Sequence, residues 1–154
     1  MNWNFNMYKK IIIINGPNLN LLGSRETDIY GKTTLTEIEQ LSKNKANELN
    51  LRISFYQSNS ESEIINLIHK TQTDYDGLII NPAAFTHTSV ALLDALKAIS
   101  KPRIEIHLSN IYNREDYRKN SVTSASVNGI ICGFGSLSYI LAIEALNKLI
   151  NLNL

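Results

Sequence analysis

The chain of 154 residues holds one cysteine, Cys132, so it can form neither an internal disulfide framework nor a cysteine-cluster zinc site. It has no excess of either charge sign: the formal net charge is +1, which supplies no strong field for nucleic acid or a membrane surface. No apolar stretch approaches the roughly 18 residues that a membrane span needs. The opening Met1 to Asn6 does not read as a signal peptide, because the nearest apolar run is only Ile11 to Ile14. Histidines and carboxylates lack a metal-ligand spacing, and no lysine in a strand-end motif is placed to form a Schiff base. These absences leave a cytoplasmic enzyme or binding protein as the expectation. The length suits one domain with a real core, expected over residues 9–154 behind a poorly ordered leader at 1–8.

What is present is a regular alternation. Ile11 to Ile14 is a buried strand that Asn15-Gly16-Pro17 stops. The next helix signal is the capping box Thr34-Leu-Thr-Glu37, followed by Leu35, Ile38, Leu41 and Leu49 near helical spacing. Leu51, Ile53 and Phe55 alternate as a strand, and Ser60-x-x-Glu63 opens a helix with Ile64, Leu67 and Ile68 inward. Gly77 to Ile80 is a third strand. A helix over about Thr88 to Ser100 is expected to turn Val90, Leu93 and Leu96 inward. Arg103 to His107 and Val127 to Cys132 complete five strands, and the last helix covers about Ser136 to Leu149. Cys132, inside the apolar run Gly129 to Gly133, reads as a buried structural thiol. No internal repeat or linker interrupts the series.

Five βα-like units imply an α/β, flavodoxin-like three-layer sandwich: a five-stranded parallel sheet of order 2-1-3-4-5 with helices on both faces. Ligands of such sheets bind beyond the carboxyl ends of the strands. Those ends carry Asn15 and Asn18, then Asn81, His107 and Gly133. The connection from Ile14 to Thr34 is far longer than the usual two to six residues, and it holds Arg25 and Tyr30 between Gly23 and Gly31. It reads as a lid or as a solvated loop whose arginine meets Glu26 or Asp28.

Glu105 and His107 fall on one face of their strand, where a carboxylate can orient an imidazole for acid work or form a simple ion pair. His87 sits just before a helix on the same edge and can reach a ligand, whereas His69 in a polar helical stretch reads as surface. Leu108-Ser109-Asn110 begins a polar segment with Arg114 and Arg118, suited to holding a carboxylate or hydroxyl groups, or merely solvated. Asp94 lies on a helix face that is either exposed or paired across a subunit contact.

Asn15-Gly-Pro-Asn18-Leu-Asn-Leu-Leu-Gly23 with Arg25-Glu26 and Tyr30-Gly31 resembles the first signature of type II 3-dehydroquinate dehydratases. Asn81-Pro-x-x-x-Thr-His87-Thr-Ser89 and Glu105-x-His107-x-Ser109-Asn110 resemble its later ones, as does Gly133-Phe-Gly135 ahead of Tyr139. The likeness runs from about Lys10 to Leu149. It departs at Ala83 and Ser138, which stand where glycine is common in that family, and in the leader at residues 1–6. The resemblance implies a cofactor-free, metal-free trans-elimination of water from 3-dehydroquinate to 3-dehydroshikimate, in the shikimate pathway. Tyr30 would then be the base at C2, held as tyrosinate by Arg25. His107, backed by Glu105, would protonate the departing C1 hydroxyl, and Asn18 would place a water that stabilises the enolate. Asn81, His87, Arg118 and the backbone of Leu108 and Ser109 would bind substrate. The residue matching Asp94 would reach a neighbour's site in a homododecamer built from trimers.

Two binding modules and a hydrolase compete on the same topology. A phosphate-receiving signalling domain needs carboxylates where Asn15 and Asn81 stand, and a flavin binder needs a Ser/Thr/Gly-rich loop where Asn-Leu-Asn-Leu-Leu stands. Gly133-Phe-Gly135-Ser136 is not a nucleophile elbow, so a serine hydrolase is disfavoured as well.

Overall fold

A computed structural model describes residues 8–152. The expected leader therefore lies outside the described residues except for Tyr8. Five strands form one parallel sheet: β1 (Lys9–Asn15), β2 (Leu51–Gln57), β3 (Gly77–Asn81), β4 (Arg103–His107) and β5 (Gly129–Cys132), in the order β2-β1-β3-β4-β5. The helices are α1 (Thr27–Tyr30), α2 (Leu35–Glu48), α3 (Glu61–Asp74), α4 (Val90–Ala98) and α5 (Leu137–Leu152).

The central strand shows why the sheet needs two covers. Ile11 to Ile14 are all fully buried, yet neighbours in the strand point to opposite faces. Ile11 and Ile13 pack with Ile38 of α2 and with Ala142, Ile143 and Leu146 of α5. Ile12 and Ile14 pack with Ile64 and Ile68 of α3 and with Leu92 and Leu96 of α4. Fully burying one such side chain contributes about 1.5–3 kcal/mol, so both layers are held by the same strand.

Helix starts follow the sequence. Thr34 accepts from the Glu37 amide while Glu37 reaches back to the Thr34 amide, closing the capping box. Ser60 and Ser89 cap α3 and α4, and the Ser89 hydroxyl also donates to Glu61, tying the two helix starts together.

The helix faces depart from the expectation at Leu41, Val90 and Leu93. In α2 the buried positions are Ile38, Ser42 and Ala46, and Leu41 is exposed. In α4 they are Leu92, Ala95 and Leu96; Leu93 is half-buried and Val90 is 59% exposed. Ile38 and Leu96 are buried as expected, and Leu35 and Leu49 pack against the core from partly buried positions; the small residues Ser42, Ala46 and Ala95, which carry little hydropathy signal, fill the rest of the buried faces. Cys132 is half-buried rather than buried, because β5 is an edge strand.

Candidate active site

The loops after β1, β3 and β4 converge at the carboxyl edge of the sheet. Gly16 lets the first two touch: a Cβ there would lie 2.5 Å from the carbonyl oxygen of Pro82, and its amide donates to the Asn81 carbonyl at 2.8 Å. Behind them runs a buried polar chain. The Tyr139 hydroxyl donates to Asn15 Oδ1 at 2.6 Å and accepts from Asn81 Nδ2 at 3.2 Å, while Asn81 Oδ1 accepts from the Ala83 amide at 3.2 Å. The Asn81 amide is thereby fixed in one orientation. Burial pushes the Tyr139 phenol well above its ordinary pKa, so it stays a neutral donor.

Glu105 and His107 form the deepest part of the site. Glu105 is 0% exposed, and its Oε1 accepts from His107 Nε2 at 2.7 Å. Three hydroxyls complete the cradle: Thr86 on Oε1 at 2.6 Å, Ser121 on Oε1 at 3.2 Å and Thr123 on Oε2 at 2.7 Å. Burial raises the carboxyl, but His107, Thr86 and Thr123 outweigh it and hold Glu105 below the usual carboxylate range. With Nε2 donating to a carboxylate, Nδ1 of His107 is the nitrogen left for the cleft. Ser138 steadies the strand end, donating its hydroxyl to the His107 carbonyl at 3.2 Å.

The rim is built differently. The stretch after β1 is not wholly irregular: Leu19–Leu21 forms a 3-10 turn and Tyr30 ends the short helix α1. Arg114 donates to the Tyr30 hydroxyl at 2.8 Å. Arg25 instead lies over the ring, 5.6 Å from its centroid, and pairs with Glu26 at 3.5 Å. Arg118 Nε stands 3.1 Å from Glu115 Oε2 without hydrogen-bond alignment. His87 Nδ1 donates to the Asn120 carbonyl at 2.8 Å, which leaves its Nε2 for the cleft.

One cleft is lined by Asn18, Arg25, Tyr30, Asn81, His87, His107, Leu108, Ser109, Arg114 and Arg118, and by no lysine. Asp94 and His69 are exposed on their helices, and Asp94 does not line the cleft. Glu105 stands behind His107, outside the lining. Sequence reasoning gave no role to Thr86, although it stands in the Asn81–Ser89 motif, and passed over Ser121 and Thr123. Hydroxyls converging from 16 to 19 positions away leave no local spacing to read.

A family model described as Dehydroquinase class II matches residues 9–147. The chain belongs to that family. It is 52% identical over 141 residues to a 3-dehydroquinate dehydratase of Thermoanaerobacter pseudethanolicus, covering 92% of this chain and 95% of the relative. A relative of that name from Caldicellulosiruptor saccharolyticus is 54% identical over 143 residues, covering 92% and 99%. The crystal structure of the type II dehydroquinase from Propionibacterium acnes superposes with a TM-score of 0.89 at 42% identity, covering 92% of this chain and 98% of that one. The dehydroquinase match includes every element that supplies the cleft.

Proposed function

We propose that this chain is a hydro-lyase that converts 3-dehydroquinate to 3-dehydroshikimate by trans-elimination of water, a step of the shikimate pathway. The observation that carries the reading is a tyrosine hydroxyl held by an arginine and a histidine backed by a buried carboxylate, both lining one cleft in a class II dehydroquinase.

The chemistry divides between those two groups. Tyr30, as phenolate, takes the proton from C2, and the electron pair left behind becomes an enolate of the adjacent ketone. The enolate then expels the C1 oxygen, which His107 protonates through Nδ1, so that water leaves and the C1–C2 double bond forms. An N–H of Arg114 donated to the phenol oxygen stabilises negative charge there, and the Arg25 cation over the ring adds to it. Asn18 places a water for the enolate oxygen. Asn81, His87, Arg118 and the backbone at Leu108 and Ser109 hold the substrate's carboxylate and hydroxyl groups. Mixing the protein with 3-dehydroquinate should produce the enone absorbance of the product, and no absorbance change would sink the reading.

The proposal extends to assembly and place. Val90, half-buried Leu93 and Asp94 share the outward side of α4, an apolar and acidic surface suited to a second copy. The expected state is a homododecamer of trimers in the cytoplasm, with Asp94 meeting a neighbour's site. Light scattering should give a mass far above the 17.3 kDa protomer, and a fully active monomer would refute it. No helix among the described residues is long and apolar enough to cross a membrane.

A further inference from the structure

The Glu105 carboxylate is held from both ends by two threonines: Thr86, which stands inside the Asn81–Ser89 motif without a role of its own there, and Thr123, which lies outside every motif. Thr86 lies on the 3-10 turn Ala83–His87 after β3, and Thr123 opens the 3-10 turn Thr123–Ser126 before β5. Both side chains are fully buried, and the Val122 amide donates to the Thr86 carbonyl at 2.7 Å, locking the turns together around the carboxylate. The terminal torsion of a glutamate is broad and roughly two-fold, so a carboxylate held through one oxygen can still turn away from its partner. Here Thr86 takes Oε1 and Thr123 takes Oε2, which fixes the carboxylate plane. Among the described residues Thr123 supplies the one hydrogen bond to Oε2.

We propose that Thr86 and Thr123 are positioning residues: their hydroxyls clamp Glu105 so that Oε1 stays on Nε2 of His107 and Nδ1 stays in the cleft. The assignment rests on the dehydratase reading and deepens it. It makes a specific demand, because the clamp serves only the second half of the reaction. Removal of the C2 proton by Tyr30 does not involve His107, whereas departure of the C1 hydroxyl does. Loss of the clamp should therefore leave enolate formation and impair water loss.

The test uses the full chain and two readouts, dehydration of 3-dehydroquinate and exchange of its C2 hydrogen in heavy water followed by NMR. Thr123→Val, nearly isosteric but without the hydroxyl, should lower kcat for dehydration by about tenfold or more, a part of the 10²–10⁴ that a general acid contributes. Its KM and its rate of C2 exchange should stay within about threefold of the parent. Thr123→Ser should restore dehydration, and Thr86→Val should repeat the split from the other oxygen. Equal loss of dehydration and exchange, a raised KM with unchanged kcat, or a serine variant no better than valine would overturn the assignment. Failure of both valine variants to fold would do so too, since the hydroxyls would then serve the fold. Failure of the parent protein in both assays would instead overturn the dehydratase reading itself.

Discussion

The floor and the rim of the cleft are built on opposite principles. On the floor, Glu105, Asn15, Asn81 and Tyr139 are buried, and apart from the local Glu105–His107 and Asn81–Ala83 contacts their side-chain hydrogen bonds join groups from 16 to 124 positions apart. On the rim, Tyr30, Arg25, Arg114 and Arg118 are half-buried, and the carboxylates that pair with the arginines, Glu26 and Glu115, are exposed. Exposed pairs of that kind contribute about 0–1 kcal/mol, whereas breaking a buried charged network costs several. In the proposed mechanism the acid side is thus organised before substrate arrives, and the base side can rearrange around it at little cost. A reaction that removes a proton at one carbon and delivers one at the next suits this division: the donor needs a fixed direction, and the acceptor needs a lid that excludes water.

The largest effect expected from breaking the comparison is at the rim. Tyr30→Phe keeps the ring and removes the proposed proton acceptor, so kcat for dehydration should fall by at least about 10³-fold, a loss of roughly 4 kcal/mol. Binding of a non-reacting substrate analogue, measured by calorimetry, should stay within an order of magnitude. Near parental turnover would show that the rim does not carry the base.

Arg114→Gln comes next. Arg114 donates directly to the Tyr30 hydroxyl, whereas Arg25 sits over the ring and shares its charge with Glu26. A charge-assisted hydrogen bond is worth about 1.5–3 kcal/mol, so Arg114→Gln should lower kcat by about 10- to 100-fold, and Arg25→Gln by less. Steady-state kinetics on the two variants decides the order. The reverse order would mean that the rim closes on substrate with Arg25 moved to the hydroxyl.

The floor should reveal itself through pH. Its carboxylate, Glu105, has a folded-state pKa below the ordinary value, so its ionised form stabilises the fold. That contribution is fully present above the unfolded value of about 4.3 and is lost as pH falls through the lower folded value. The stability gap between the parent protein and Glu105→Gln, measured by urea unfolding, should therefore be widest near neutrality and narrow below pH about 4. A gap independent of pH would mean that Glu105 is not held as a carboxylate.

Floor and rim also differ in how much of them the sequence revealed. Strand order, the residues at the strand ends and the Glu105–His107 pair were legible because period-two alternation and strand-ending asparagines are local signals. The three hydroxyls under Glu105 and the Tyr139 bridge between Asn15 and Asn81 were not, since they depend on which turns the sheet brings together. Arg114 was visible only as one cation in a polar run. Its contact with Tyr30 spans 84 positions and follows from two loops meeting above the cleft. Helix faces were legible only in part in α2 and α4: Ile38 and Leu96 are buried as expected, but Ser42, Ala46 and Ala95 are buried with little apolar signal to mark them.

The smallest effect concerns a single residue between the two regions. Ala83 follows Asn81-Pro82, and its amide donates to the floor through Asn81 Oδ1. Its φ is +52°, in the left-handed region, where a Cβ crowds the following carbonyl at a cost of about 1–2 kcal/mol. This geometry explains why glycine is common at that position in the family that the sequence resembles. Ala83→Gly removes the strain but adds freedom to the unfolded chain, worth about 0.5–1 kcal/mol against it. The net expectation is a gain of up to about 1 kcal/mol in urea unfolding, with kcat and KM for dehydration unchanged within about twofold. A loss of stability would show that the Ala83 methyl packs usefully against the neighbouring core, which its contact with the α2–α5 layer allows. Ala83 itself lines the cleft, so a change in KM with stability unchanged would show instead that this turn shapes the substrate's place on the floor of the site.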